Sequence, residues 1–147
     1  MEHPLVLGTA FGAWALAAIA LVPELWRLGG ARARGSGLLL VLFAALILIA
    51  AVFRIDGPTL APPATTEGAI HIASGRAAVA TLALALVLGW AATRGRRAAL
   101  VMLGLLLVAF GVPVVASPEA VGLTQRVLVG AEVVALAMLA RGVRRRT

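Results

Sequence analysis

Long apolar runs alternate with short polar breaks along the 147 residues. A helix needs about 20 mostly apolar residues to cross the hydrocarbon core of a bilayer. Five runs have that character: 5–26, 37–53, 69–91, 98–116 and 121–140. The second, which contains LLLVLFAALILIAAVF, is the most apolar. Barrel strands are only about 9–11 residues long and alternate in polarity, so the runs predict helices. The breaks carry turn residues: Gly29 through Gly37, Asp56-Gly57-Pro58 to Pro62-Pro63, Thr93-Arg94-Gly95, and Ser117-Pro118-Glu119. Pro23 and Pro113 fall within about a turn of run ends, where a lost hydrogen bond costs least. The predicted fold is an all-α polytopic membrane bundle of five transmembrane helices, in one domain spanning 1–147.

Composition agrees. The chain is 62% hydrophobic and only 13% charged, against about 45–50% and about 25% in soluble domains. Disorder is excluded by the same numbers. Without cysteine there is no disulfide, zinc finger or thiol nucleophile. All 13 basic residues are arginine, so no lysine can serve as general base or Schiff-base former. The first run is read as a retained span, because it is long for a signal-peptide core and Glu2 stands where basic residues are expected.

The net charge of +7 raises nucleic-acid binding, and the placement of the charges removes it. Arg27, Arg32 and Arg34 flank the first break. Arg94, Arg96 and Arg97 fill the third. Arg141, Arg144, Arg145 and Arg146 form the tail. These alternate with sparsely basic segments, which places the amino terminus outside and the carboxyl terminus inside. Glu2, Asp56, Glu67 and Glu119 then lie outside. Trp26 and Trp90 fall at inner ends, as in an aromatic belt. Split among short loops and lacking interleaved aromatic residues, the arginines fit anionic lipid of the inner leaflet, not nucleic acid. The expected location is the inner (plasma) membrane.

The fifth run is the most polar, with Gln125, Arg126 and Glu132. A central Arg or Asp costs roughly 2.5–3.5 kcal/mol to insert, and each Leu or Val returns roughly 0.3–0.6. The apolar residues of 121–140 about balance that cost, so this helix needs partners along its polar stripe. It must span if the tail is to lie with the other arginines.

The candidate site follows from ionisable groups that topology does not need. Arg54, Arg76 and Arg126 lie in outer halves of spans, level with Asp56, Glu67, His71, Ser74, Glu119 and Gln125. Such groups usually face a bundle interior and pair with one another. The expected cluster is Asp56, Glu67, His71, Arg76, Gln125, Arg126 and Glu132. Glu67 and His71, four apart, share a helix face, with Thr65 or Thr66 as cap. Arg76 points elsewhere, about 140° from His71. Glu24 is expected to pair with Arg27 or its neighbours. Glu132 is deepest, where a charged carboxylate is costly, so a proton-handling role is open to it. No metal spacing, haem-ligand pair, nucleophile elbow or phosphate loop is present, so no metal or cofactor is implied.

Two stretches carry a resemblance. One is Val52-Phe53-Arg54-Ile55-Asp56, followed by a proline-rich loop and Gly68-Ala69-Ile70-His71. The other is Gly122-Leu123-Thr124-Gln125-Arg126 opening the last run. The chain resembles the domain of unknown function 998 family of prokaryotic multi-span membrane proteins. The resemblance implies the helical architecture and marks Asp56, His71 and Arg126 as matching the family's polar positions. It implies no activity. A further amino-terminal span typical of the family is not found ahead of the first run.

Two functional readings stand. In one, the outer-half cluster binds a lipid or small molecule. In the other, the chain is a structural or assembly subunit whose polar residues only hold helices together. A membrane enzyme using His71 and Asp56 as acid and base ranks below both. Self-association or a partner membrane subunit is compatible with either.

Overall fold

The computed structural model describes residues 4–53, 65–95, 97 and 121–146, with side chains from residue 9 in the first helix and residue 129 in the last. The described residues form helices and turns, with no strand among them. In chain order the helices are α1 (Pro4–Ala20), α2 (Val22–Leu28), α3 (Gly30–Val52), α4 (Thr66–Arg94) and α5 (Val121–Arg144). Among the described residues, three stretches are long and apolar enough to cross a membrane: Thr9–Leu28, Gly30–Val52 and Thr66–Arg94. The run 98–116 lies outside the described residues, as do Arg54, Asp56 and Arg96.

The first run is helical but broken. Pro23 has no N–H to give Ile19, and its ring crowds the preceding turn. The chain answers with a turn at Leu21, whose amide bonds Ala18 at 3.2 Å, and α2 starts afresh with Pro23 in its first turn. Pro23 therefore splits the span instead of sitting harmlessly near its end.

The first break is far shorter than the sequence pattern predicts. Gly29 and Gly30 take positive φ, 70° and 78°, which turns the chain within two residues, and α3 runs from Gly30. Arg32 and Arg34 thus lie on the first turns of α3, not in a loop. Alanine and arginine are strong helix formers, so once the glycines make the turn nothing prevents Ala31-Arg32-Ala33-Arg34 from joining the helix.

At the start of α4, Thr65 is the cap: its backbone is extended and its hydroxyl accepts the Gly68 amide at 3.1 Å. Thr65→Ala should cost about 1 kcal/mol, and Thr65→Ser much less. Comparing chemical denaturation of the two variants in detergent checks this. Equal losses would mean that the hydroxyl bond contributes nothing.

Packing fixes helix directions. Trp14 meets Phe43 edge-on at 5.3 Å, joining α1 to the middle of α3. Val22 and Trp26 of α2 cover Gly37 so closely that a Cβ there would lie 2.7 Å from Trp26 Nε1. Between α3 and α4, Ser36 meets Ala85 at one end and Ala50 meets His71 at the other. Those two helices are antiparallel. Between α4 and α5, Gly89 lies against Leu139, and Thr93 lies against Gly142. Those contacts advance together along both chains, so α4 and α5 run parallel. Phe43, Leu40, Leu82, Leu86 and Leu139 form the fully buried centre. Leu16, Leu38, Val52, Leu84 and Val134 stand exposed on the outside, at 71, 61, 76, 52 and 58%. Apolar side chains displayed on so many outer faces need a hydrocarbon solvent.

Candidate functional site

Most arginines of the described residues, though not Arg76 or Arg126, gather at one end. Glycine 35 of α3 touches Leu88 of α4, and Thr93 touches Gly142 of α5. The start of α3 and the ends of α4 and α5 therefore lie side by side, and they bring Arg32, Arg34, Arg94, Arg141 and Arg144 together with Arg27. Here Arg27 pairs with Glu24 at 2.6 Å, as the spacing predicts. Trp26 is half exposed at this end, but Trp90 is buried, with Arg94 stacked 4.7 Å above its ring. Trp90 thus belongs to the packing of the bundle, not to a belt at the lipid surface. Arg94 also reaches the Met138 carbonyl at 3.5 Å, tying α4 to α5.

The opposite end holds His71. Its Nδ1 lies 2.8 Å from the Ala50 carbonyl and 2.9 Å from that of Phe53. Carbonyls only accept, so Nδ1 carries the proton and donates to both. The last carbonyls of any helix lack an intrahelical partner. His71 supplies one for α3, from a neighbouring helix. Ser74, one turn below, returns its hydroxyl to Ile70 at 2.7 Å. Glu67 and Arg76 are exposed, and neither makes a hydrogen bond or ion pair to a described residue. Asp56 lies outside the described residues, and so do the side chains of Gln125 and Arg126, which stand on the first turns of α5. Among the described members of the expected cluster, His71 turns to α3 while Glu67 and Arg76 point outward.

Glu132 is different. Eleven residues from the start of α5 and twelve from its end, it is mid-helix. It is completely buried, and neither carboxyl oxygen has a hydrogen-bond partner among the described residues.

The sequence pattern passed over a close contact of three helices. Ser36 donates to the Ala85 carbonyl at 2.8 Å, beside Gly89. A Cβ on Gly89 would meet both methyls of Leu139 and the Ser36 hydroxyl oxygen, each at 2.9 Å. Three helices converge on that glycine. Small residues at helix contacts are the general signal, but with 16 glycines in the chain it does not single out one. A groove of about 390 Å³ between α1 and α3 is lined by Gly12, Ala15, Ala44, Ala45 and four larger aliphatic residues. Nothing in that lining could orient a polar ligand.

Long apolar helices, an apolar exterior, polar side chains bonded to backbone and most of the described arginines at one end define a membrane-embedded helical protein. The family model described as Protein of unknown function (DUF998) matches residues 2–142, so the chain belongs to that family. No curated protein and no solved structure matches it.

Proposed function

We propose that the protein is an architectural or assembly component of a membrane, with polar groups in the bundle that join helices instead of gripping a ligand. The observation that carries this reading is His71. Its donor is divided between two carbonyls of α3 and is not free to meet a substrate. Ser36 is spent likewise, on the Ala85 carbonyl of α4, and Thr93 bonds the Gly89 carbonyl of its own helix.

In this reading five spans cross the plasma membrane, with the amino terminus outside and the arginine-rich tail inside against anionic headgroups. The parallel course of α4 and α5 supports it, since an intervening segment must return the chain between them. Carboxyl-terminal reporter fusions should report a cytoplasmic tail; an external tail would overturn the topology.

The second reading, a lipid or small-molecule site in the outer half, draws on Glu67 and Arg76, which are exposed and unpaired among the described residues. One experiment separates the two. Glu67→Ala and Arg76→Ala are expected to leave thermal stability in detergent unchanged and to retain the same co-purified species in native mass spectrometry. Loss of a bound lipid or small molecule from Arg76→Ala, with stability intact, would favour the binding site.

A further inference from the structure

Among the described residues, Glu132 is the buried ionisable side chain that makes no hydrogen bond or ion pair. The pair Gly89 and Leu139 fixes its surroundings. Leu82 lies seven residues before Gly89, and Glu132 lies seven before Leu139. Seven residues is nearly two helical turns, so both return to the same faces and confront each other. Leu82 is fully buried, as are Ala78, Ala85 and Leu86 around it on α4. On α5 itself, Ala135, Leu136 and Leu139 continue the buried stripe below Glu132. Among the described residues, the α4 side facing the carboxyl and the stripe below it on α5 are therefore aliphatic.

Among the described residues, no charged group of the packed elements answers it. On α2, Glu24 and Arg27 are bonded to each other. On α3, Arg32 and Arg34 occupy the first turns at the basic end, and α1 has no titratable residue along Pro4–Ala20. On α4, Glu67 and His71 lie at the opposite end, Arg94 is engaged with Trp90 and Met138, and Arg76 faces outward. On α5, Arg126 and Arg141 are six and nine residues away along the chain. An ion in such surroundings is stable only with a partner that neutralises it.

We propose that Glu132 is a proton-binding site at the middle of the bundle, a carboxyl that sits against α4 as the acid and exchanges its proton when α5 parts from α4. This rests on the reading of α5 as a membrane helix and goes beyond the architectural role, because a side chain kept only for packing would have no reason to be ionisable.

The test is covalent capture in the full chain, reconstituted in lipid nanodiscs. Dicyclohexylcarbodiimide dissolves in the bilayer and reacts with a carboxylic acid. The acid proton goes to one carbodiimide nitrogen and the carboxyl oxygen bonds to the central carbon. The acyl group then migrates to nitrogen, leaving a stable N-acylurea with nothing expelled. Peptide mapping should find one adduct, on Glu132. A membrane-impermeant carbodiimide should spare Glu132 and modify Glu67. Raising the pH should slow the Glu132 reaction, and Glu132→Gln should abolish the adduct while the protein remains folded.

The outcomes separate cleanly. No Glu132 adduct in the folded wild-type protein would mean that the carboxylate is ionised and paired with a cation from elsewhere, which overturns the proposal. A reaction rate independent of pH would mean a proton that never leaves, which overturns the exchange. Equal labelling by both reagents would mean that α5 is bathed in water, which overturns the membrane reading of α5 instead.

Discussion

Gly89→Val is expected to be among the most damaging single substitutions in this protein. Its first added carbon would arrive 2.9 Å from Leu139 and Ser36, and the branched methyls would come closer still. Leu139 and Ser36 are both fully buried, so neither has free space to retreat into. Overpacking a close-packed interior costs about 1–3 kcal/mol. Moving Ser36 also breaks its bond to Ala85, worth about 0.6 kcal/mol on average for such bonds between membrane helices. Denaturant titration in detergent, followed by circular dichroism, reads the loss. A double-mutant cycle locates it. Leu139→Ala alone should cost about 2–5 kcal/mol by leaving a cavity. Combined with Gly89→Val it should cost clearly less than the two added together, because the valine enters the vacated space. Strict additivity would mean that Gly89 and Leu139 do not touch.

His71→Ala is expected to loosen the junction of α3 and α4. The Ala50 and Phe53 carbonyls lose their donor, and leaving such groups unsatisfied costs about 1–3 kcal/mol, toward the lower end here because His71 is only partly buried. His71→Asn should recover most of the loss, since its amide nitrogen occupies the place of Nδ1. His71→Gln should recover little, because its amide is one bond further out. The local readout is hydrogen exchange at the last turn of α3. The Phe53 amide, bonded to Ile49 at 3.2 Å, should exchange faster in His71→Ala and near the wild-type rate in His71→Asn. An unchanged rate in the alanine variant would remove the cap from the account.

Both sites show where sequence reasoning reached and where it stopped. His71 stood out because a histidine opening an apolar helix is conspicuous. Its partners were invisible, because they are backbone carbonyls 18 and 21 residues away and carry no side-chain signature. Gly89 did not stand out at all. A glycine in an apolar helix declares its importance only when the opposing helix is in place. Trp90 resembled a headgroup anchor by position, but whether a tryptophan faces lipid or core depends on rotation about the helix axis.

The helix boundaries tell the same story. The third run was predicted at 69–91 and forms a helix over Thr66–Arg94, with Thr65, one of the two threonines expected there, as cap. The pattern worked there because capping chemistry is local. It failed at Gly29 through Gly37, where polar, small residues imitated a loop, although two glycines sufficed for the turn and the arginines continued the helix. It also understated Pro23, which divides α1 from α2.

By itself the sequence determined the solvent, the helical class and the segregation of the arginines. Each of these is a sum over many residues: apolar content, run length and charge spacing survive any error about a single side chain. Only the tertiary structure decided which polar residues are used. His71 is bonded, Glu67 and Arg76 face outward, and Glu132 is buried without a partner among the described residues. The physical reason is that desolvation and hydrogen bonding act over a few ångströms. They depend on how each helix is rotated against its neighbours, and hydropathy along one chain does not encode that rotation.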